Sequence, residues 1–283
     1  GELGYISKSQ DNLNIAYNNL EEYLADLKKA LTTDHPRYKT LGTKVGDEYI
    51  QLNTAIIQIE NEYYSSIRPK RLVGSGERPI NALRENGIEY VEIRALDNNI
   101  YDPFGISDET AIFLESFLFY CLLCEDQPCD ADEIIKIQNN WGKVVLSGRD
   151  ENTELQFKEG SAPLKERAIE ILDAMTNFED RIGDLGYRNI YKKSLESQRL
   201  KISDSNITPS GKLLQDITES GLSWDEYTDQ IAKSHKEEIL KSKRDVDYLE
   251  EQAKKSLEEF SIKETQKEKD FDSFLAEYLS AIE

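Results

Sequence analysis

The sequence predicts an α+β chain in which residues 1–105 mix strands and helices and residues 106–283 are almost entirely helical. Two observations support this division. Residues 88–96 alternate polar and apolar side chains with the period of a β-strand, whereas apolar side chains after residue 105 recur with the period of a helix. The 283 residues suffice for one large or two smaller hydrophobic cores. We therefore expect a domain that contains a sheet, followed by a helical domain.

The first part is predicted to begin with an amphipathic helix over residues 15–32, because four leucines fall on one helical stripe: Leu20, Leu24, Leu27 and Leu31. A turn-rich stretch follows. Residues 48–64 interleave apolar and polar side chains and are predicted to be a strand. Pro79 and Gly87 bracket a short helix, since proline favours the first turn of a helix and glycine the position after its end. Residues 88–96 form a second predicted strand.

The second part contains several helix starts. Ser107 and Asp108 are suited to cap a helix that runs to about Cys124, and Asp130 with Glu133 has the pattern of a capping box. Further helices are predicted from Pro163 and at about residues 187–200, 209–220 and 223–241. The tail from Lys233 is predicted to be a long, solvated, charged helix whose thin apolar stripe comprises Leu249, Ala253, Leu257 and Phe260.

Composition excludes several classes of function. The formal net charge of −20 argues against a nucleic-acid partner and against an anionic membrane surface, since both require clustered Lys and Arg. Three cysteines form no even disulfide framework, so we expect a reducing, cytoplasmic location. The cysteines are expected to be buried and structural, with a zinc or redox role for the C-x-x-C pair Cys121 and Cys124 as the alternative. With only two histidines, metal chemistry would use carboxylates and a hard ion such as Mg²⁺.

The strand over residues 88–96 carries the most informative pattern. Glu92 and Arg94 share one of its faces, about 7 Å apart along the strand, and the opposite face is apolar. The predicted strand over residues 48–64 likewise has a polar face, which carries Glu60, Glu62 and Tyr64. Such a face is typical of a solvent-exposed antiparallel sheet. It is equally suited to a polar cavity in which a carboxylate binds a divalent cation and an arginine binds a phosphoryl oxygen.

A compact basic cluster at residues 67–71 includes Arg68 and is followed by Gly74 and Gly76. The cluster is compatible with an anion site or with an exposed loop, and no Walker A pattern is present. The histidines are too few for a Ser/His/Asp or Cys/His constellation, which makes covalent hydrolytic catalysis an unsuitable interpretation.

Several ordered motifs resemble those of the proteobacterial glutamate–cysteine ligases. They comprise Leu3-Gly4-Tyr5, Gln58-Ile59-Glu60-Asn61-Glu62-Tyr63-Tyr64, Ile67-Arg68-Pro69-Lys70-Arg71, Gly87-Ile88-Glu89-Tyr90-Val91-Glu92-Ile93-Arg94 and Asn140-Trp141. The resemblance is strong over residues 3–149 and fades afterwards to a helical pattern. It corresponds to the C-terminal half of that family.

The resemblance implies an antiparallel sheet like that of glutamine synthetase. It also implies phosphorylation of the γ-carboxylate of glutamate by ATP, followed by displacement of phosphate by the amine of cysteine, the first step of glutathione biosynthesis. On this basis Glu92 is expected to be a Mg²⁺ ligand and Arg94 a catalytic, phosphate-binding residue. Tyr5 and Tyr64 are expected to contact cysteine, and Arg68 is expected to lie near substrate or phosphate.

The family is about twice as long, and its other metal-binding carboxylates lie in a half that would precede Tyr5. The chain is therefore expected to be inactive without that N-terminal half, which is its expected partner beside glutamate, cysteine and ATP. Two alternatives stay open at this point. The chain could be a non-catalytic helical interaction module, or part of a related carboxylate–amine ligase that uses another amine.

Overall fold

The computed structural model describes residues 13–125, 127–182, 188–241, 246–266 and 269–282. The α+β prediction is confirmed: helices predominate, and the described strands form three small antiparallel sheets of two strands each. Tyr5 lies outside the described residues. Among the described residues, none of the helices combines the length and apolar composition needed to cross a lipid bilayer.

The elements up to residue 96 are short. The helices are α1 (Leu20–Thr32), α2 (Pro36–Leu41) and α3 (Pro79–Asn86), and the strands are β1 (Lys44–Val45), β2 (Glu48–Tyr49), β3 (Ile67–Lys70) and β4 (Tyr90–Ile93). The predicted helices at residues 15–32 and 79–85 are present, with α1 beginning at Leu20 after its N-cap Asn19. The strand β4 occupies the centre of the predicted segment 88–96.

The long strand predicted over residues 48–64 is wrong. The only strand described there is the two-residue β2, Ala55 forms an isolated bridge with Asp34, and Glu60–Glu62 form a single 3-10 turn. Polar side chains in this segment bind the local backbone: Gln58 Oε1 accepts a hydrogen bond from Leu52 N (2.7 Å), and Asn53 Oδ1 accepts one from Ala55 N (2.8 Å). These bonds replace the pairing that a neighbouring strand would supply.

The elements from residue 97 are mainly long helices. They are α4 (Asp108–Leu123), α5 (Ala131–Ser147), α6 (Leu164–Ile182), α7 (Arg188–Ser203), α8 (Pro209–Ser220), α9 (Trp224–Lys241), α10 (Val246–Thr265) and α11 (Phe271–Ser280). Ser107 caps α4, and Asp130 with Glu133 forms the predicted capping box of α5. A hairpin of β5 (Glu154–Phe157) and β6 (Gly160–Pro163) was not predicted, since this region had been interpreted as helical throughout.

Two further expectations for this part are wrong. Cys121 and Cys124 are exposed and Cys129 is half-buried, because α4 ends in Leu122 and Leu123, which are themselves exposed. The charged tail does not form one helix, since α10 ends at Thr265 and α11 begins at Phe271 after its N-cap Asp270. Its predicted apolar stripe on α10 is exposed at Leu249, Leu257 and Phe260.

The chain groups into two compact units. One comprises Asp97–Lys243, and the other joins Glu2–Leu96 to Arg244–Glu283. The core of the second unit is built on α1, α3 and the segment between them, and its most buried members are Leu27, Ala30, Leu31, Ile57 and Ile80. The core of the first unit is formed by Leu172, Met175 and Leu195, against which Phe113 and Phe117 pack. The sequence-based division at residue 105 stays a prediction.

Candidate active site

The candidate site lies on the antiparallel pair β3–β4. The register places Arg68 opposite Glu92 and Lys70 opposite Tyr90. Arg94 continues the pairing beyond β4, because its backbone N–H donates to the carbonyl of Ser66 (2.7 Å). Since side chains alternate along a strand, Arg68, Glu92 and Arg94 fall on one face of the pair. The pattern of residues 88–96 predicts this for Glu92 and Arg94, whereas the position of Arg68 follows from the register.

The carboxylate of Glu92 lies between two guanidinium groups. Arg68 Nη2 donates to Glu92 Oε2 (2.9 Å), and Arg94 Nη2 donates to Glu92 Oε1 (3.1 Å). The hydrogen bond from Arg94 has the largest effect in holding the pKa of Glu92 below its ordinary value, and the charge and hydrogen bond of Arg68 act in the same direction. Glu92 is therefore ionised at neutral pH, and the three side chains together carry one net positive charge.

Arg68 is the buried member of this cluster, with only 4% of its surface exposed. Besides Glu92 it binds the backbone, since its Nη1 donates to the carbonyl of Tyr63 (3.0 Å). Its Nε is buried and finds no acceptor among the described residues. The predicted role of Arg68 near substrate stays a prediction. The contacts that Arg68 makes hold the carboxylate of Glu92 in position from the buried side of the cluster.

Arg94 and Tyr64 form the outer part of the cluster. The side chain of Arg94 is 36% exposed and that of Glu92 31%, and Tyr64 is exposed as well. The guanidinium carbon of Arg94 lies 5.9 Å from the centre of the Tyr64 ring, at the outer limit of a cation–π contact. Within the described residues the outer part of the polar face, with Arg94, Glu92 and Tyr64, is therefore open to solvent, whereas Arg68 is buried. An enclosed cavity over the outer part would need further walls.

The opposite face of the hairpin rests on the region of α1. Tyr17 and Tyr23 face Ile67, Pro69 and Val91 across a cavity of about 200 Å³. The hydroxyl of Tyr17 donates to the carbonyl of Ile67 (3.0 Å), which attaches β3 to the segment before α1. The hairpin is thus attached to the segment before α1 on its apolar side, while Glu92 and Arg94 on its polar side remain partly exposed.

Glu60 and Glu62, whose roles the sequence left open, make structural contacts. Glu60 is buried, and its Oε1 and Oε2 accept hydrogen bonds from Nε and Nη2 of the buried Arg78, each at 3.0 Å. Glu62 Oε2 accepts a hydrogen bond from the backbone of Gln58 (2.7 Å). The polar face predicted for residues 58–64 is wrong, because the segment turns instead of extending. Of that group only Tyr64 lies by Glu92 and Arg94.

The basic cluster is a strand and not a loop over most of its length, since Ile67–Lys70 form β3. Arg71 donates to the carbonyl of Gly87 (3.1 Å). The glycine-containing turn after it is closed by Glu77, whose Oε2 accepts from the backbone N–H of Gly74 (2.8 Å). The cluster therefore contributes mainly Arg68 to the candidate site.

A complete metal site is not found within residues 13–125, 127–182, 188–241, 246–266 and 269–282, where no group of three or more His, Cys, Asp or Glu side chains is placed to hold an ion. Glu92 nevertheless fits a shared site. Each of its oxygens accepts one hydrogen bond and has a second lone pair for a metal ion. Hard cations such as Mg²⁺ prefer this type of ligand and commonly take one or two carboxylates together with phosphate oxygens and water.

Comparison with known proteins gives consistent matches. The family model described as glutamate-cysteine ligase matches residues 1–144. The chain is 37% identical to a glutamate–cysteine ligase of Pseudomonas fluorescens over 99% of its length, covering 53% of that protein. It is 37% identical to the corresponding ligase of Alcanivorax borkumensis over 98% of its length, covering 54%. The chain thus spans about half the length of the curated relatives it matches.

A solved structure agrees with the sequence matches. The crystal structure of the glutamate–cysteine ligase of Francisella tularensis in complex with AMP superposes with a TM-score of 0.88 at 30% identity. The superposition covers 97% of this chain and 55% of that one. Since the family match includes the hairpin that carries Arg68, Glu92 and Arg94, together with more than half of the chain, the chain belongs to the glutamate–cysteine ligase family.

Proposed function

We propose that this chain supplies one part of the active site of an ATP-dependent glutamate–cysteine ligase, which joins the γ-carboxylate of L-glutamate to the amine of L-cysteine. The observation that carries the proposal is the ionised Glu92 between Arg68 and Arg94 on the β3–β4 hairpin. Family membership supports the choice of reaction, and AMP in the relative from Francisella tularensis supports a nucleotide site. In this proposal the reaction is the first step of glutathione biosynthesis and takes place in the cytoplasm.

The proposed reaction has two steps. An oxygen of the glutamate γ-carboxylate attacks the γ-phosphorus of ATP, so that an O–P bond forms and ADP leaves. The amine of cysteine then attacks the resulting acyl phosphate, a C–N bond forms, and phosphate leaves as the nitrogen loses a proton. Negative charge accumulates on the phosphoryl oxygens in the first step and on the leaving phosphate in the second.

Arg94 is the residue that we assign to this charge. Its guanidinium is partly exposed on the open face of the hairpin, so it is accessible to a phosphoryl group. A guanidinium stays protonated at any relevant pH and presents several donors in a fixed plane, which suits the oxygens of a transferred phosphate. Its present bond to Glu92 holds it in the plane of the site. Arg94 is therefore the proposed catalytic residue.

Glu92 is the proposed Mg²⁺ ligand contributed by this chain. When bound, Mg²⁺ would neutralise phosphate charge and orient the nucleotide. Arg68 keeps one carboxylate oxygen of Glu92 fixed from its buried position, so we assign it a positioning role in addition to the predicted proximity to substrate. Tyr64 and Tyr5 are the proposed contacts to cysteine, of which Tyr64 lies on the same open side as Arg94.

The chain spans about half the length of the curated relatives it matches. Among the described residues, no group of three or more His, Cys, Asp or Glu side chains is placed to hold an ion, so further ligands and substrate contacts would come from the rest of such a protein. We therefore propose that the chain is inactive alone. It would become active when joined to, or associated with, the part that corresponds to the remaining half of its relatives.

The test is a pair of substitutions in a protein of the relatives' full length that contains this chain. Glu92→Gln keeps the size and polarity of the side chain but removes the charge, and we expect γ-glutamylcysteine formation to fall by about 100-fold or more. The matched control is Glu89→Gln. The Glu89 carboxylate accepts a hydrogen bond from Leu72 N (3.0 Å), which the amide oxygen of glutamine would retain, so this variant should stay active.

Mass spectrometry of the product, with phosphate release measured in parallel, checks both variants. Full activity of the Glu92→Gln protein would remove the metal assignment. Replacing cysteine with other amines in the same assay tests the alternative of a related ligase, because a different preferred amine would keep the chemistry and change the substrate. Product formation by the 283-residue chain alone would contradict the proposed need for a second half.

A further inference from the structure

A second cavity lies within the helical unit of residues 97–243 and has a volume of about 410 Å³. Its walls come from α4, α6 and α7 and from the short segments after α5 and α7. The volume falls within the range of small-molecule sites in proteins, about 300–1,000 Å³. None of its lining residues belongs to the β3–β4 hairpin, so the proposed ligase chemistry does not use it.

Most of the residues that line this cavity are apolar. Phe113 and Phe117 line it from α4, Leu164 and Leu172 from α6, and Ile202 from α7. Phe113 and Phe117 stack on one another with their ring centres 6.0 Å apart. Two aromatic rings and branched aliphatic side chains make a surface that favours an apolar ligand body over water.

The charged residues that line the cavity are all basic, which is unusual in a chain with a net charge of −20. Arg149, Lys165 and Lys201 line the cavity, and no Asp or Glu does so among the described residues. Lys165 already binds Glu151 (2.8 Å). The guanidinium of Arg149 has no hydrogen-bond or ion-pair partner in the described part of the chain. Arg149 and Lys201 thus have no carboxylate partner among the described residues, and they line the cavity together with apolar side chains.

Gln198 provides a hydrogen-bond donor at the same place. Its Nε2 is buried and has no acceptor among the described residues. Its Oε1 accepts a long hydrogen bond from Lys201 Nζ (3.4 Å), so the amide oxygen faces the lysine and Nε2 is left as the free donor. A buried donor without an acceptor destabilises the site, so the site lacks an acceptor that a ligand would supply.

We propose that this cavity binds a small amphipathic anion, namely a monocarboxylate with an unbranched or aromatic apolar body. The apolar body would lie on the phenylalanines of α4 and the leucines of α6. The carboxylate would accept hydrogen bonds from Gln198 Nε2 and pair with Lys201 and Arg149. The proposal is independent of the ligase function, because it uses other residues in the other unit of the chain.

Isothermal titration calorimetry of the 283-residue chain tests this proposal, with decanoate as the probe below its micellar concentration. Decanol and decyltrimethylammonium have the same apolar body without the negative charge, and acetate has the charge without the body. We expect decanoate to bind and each of the other three to bind at least tenfold more weakly. Equal binding of decanol and decanoate would overturn the proposal, since charge would then play no part.

Three variants place the binding in this cavity. Lys201→Gln should weaken decanoate roughly tenfold, the effect of one charge-assisted hydrogen bond. Ala168→Trp should block the cavity, because Ala168 lines it and the indole ring would fill it. Lys193→Gln removes the same charge from an exposed position of α7 and should leave binding unchanged. Circular dichroism establishes that each variant is folded.

Unchanged decanoate binding in the Lys201→Gln and Ala168→Trp proteins would overturn the assignment to this cavity. The same titration on a protein of the relatives' full length identifies another possible occupant. If decanoate binds the 283-residue chain but not the longer protein, the rest of the polypeptide covers the cavity and the proposal is wrong.

Discussion

Glu92 shows how two neighbours define the state of one residue. Both of its carboxylate oxygens accept a guanidinium hydrogen bond, one from the buried Arg68 and one from the partly exposed Arg94. The buried partner is also bound to the backbone of Tyr63, so its position is fixed more firmly than that of the exposed partner. A carboxylate held in this way stays ionised and oriented, which are the two properties that a metal ligand requires.

Removing Arg94 should raise the pKa of Glu92. The hydrogen bond from Arg94 is the largest cause of the lowered pKa, so in the Arg94→Gln protein the pKa of Glu92 should rise toward the ordinary value of a glutamate. Carboxyl ¹³C NMR titration of glutamate-labelled protein measures this shift. Arg84→Gln, on α3, is the control and should leave the pKa of Glu92 where it is.

The sign of the accompanying stability effect follows from linkage. The pKa of Glu92 is lower in the folded than in the unfolded chain, so its ion pairs stabilise the fold above the unfolded-state pKa. That contribution is lost as the pH falls through the folded-state pKa. The Arg94→Gln protein should therefore lose less stability on acidification than the parent protein. An equal loss in both would contradict the assigned cause.

A second ion pair, Glu60–Arg78, is almost completely buried, with exposed fractions of 6% and 1%. Two parallel hydrogen bonds join the groups, and Arg78 also packs on the ring of Tyr278 at 4.2 Å. Breaking such a pair leaves a buried charge without compensation. Because both groups are buried and bind each other, the ion pair stabilises the core and is not accessible to a ligand.

We expect Glu60→Gln to lower the local free energy of unfolding by about 3–5 kcal/mol. Hydrogen–deuterium exchange at the amides of α1 and α3 measures the change, and peptides from α6 serve as an internal reference. Glu85→Gln removes a charge from an exposed position of α3 and should change exchange very little, by about 0.5 kcal/mol or less. If the amides of α1 and α3 exchange as slowly in the Glu60→Gln protein as in the parent protein, the ion pair does not stabilise this core.

At the scale of elements, the join between α3 and β4 depends on Gly87. Gly87 ends α3 with φ +75° and ψ −173°, a backbone conformation that is essentially restricted to glycine. Its carbonyl also accepts the hydrogen bond from Arg71. The direction in which the chain leaves α3, and hence the position of Glu92, follows from this one residue.

Two glycine-to-alanine substitutions should therefore have opposite effects. Gly87→Ala should destabilise the protein by about 1–3 kcal/mol through backbone strain, although no atom lies within 4 Å of the added methyl group. Gly142→Ala lies within α5, also in open space, and should stabilise it by up to about 1 kcal/mol because alanine is the better helix former. Urea denaturation compares the two, and equal effects would contradict the argument.

The same elements show what the sequence made predictable. The helices with clear caps were predicted nearly to the residue, since Ser107 and the Asp130–Glu133 box act locally. The alternation in residues 88–96 predicted the shared face of Glu92 and Arg94 correctly. These features depend on neighbours within a few positions, which a sequence pattern records directly.

What could not be predicted depends on contacts between distant positions. The sequence did not indicate that Arg68 binds Glu92, because the pairing of β3 with β4 joins residues 24 apart and β3 contains a proline. Glu60 and Arg78 are likewise 18 positions apart. The false strand over residues 48–64 arose because its polar side chains, which bind the local backbone, mimic the alternation of a strand.

At the scale of the molecule, the chain returns to its beginning. The helix α11 belongs to the unit that contains α1 and α3, and Asn81 Nδ2 donates to the carbonyl of Ala281 (2.5 Å). Leu275 of α11 is buried, and Ile282 packs against the core that includes Leu27 and Ile80. The last helix is thus part of the fold that supports the candidate site.

Leu275→Ala should consequently destabilise the first elements of the chain. Truncation of a buried leucine costs about 2–5 kcal/mol, and we expect faster hydrogen–deuterium exchange in α3, almost two hundred positions away in sequence. The control Leu257→Ala changes an exposed leucine of α10 and should have little effect. Unchanged exchange in α3 would contradict the assignment of α11 to this core.

The return of α11 also has a consequence for protein synthesis. A ribosome releases Asp97–Lys243 complete before it has made the helix that the earlier segment needs. All residues of the helical unit are therefore available for folding before α11 has been synthesised. Until then, part of the apolar surface of the core built on α1 and α3 is uncovered. The hairpin that carries Glu92 gains its final support only after translation has passed residue 282.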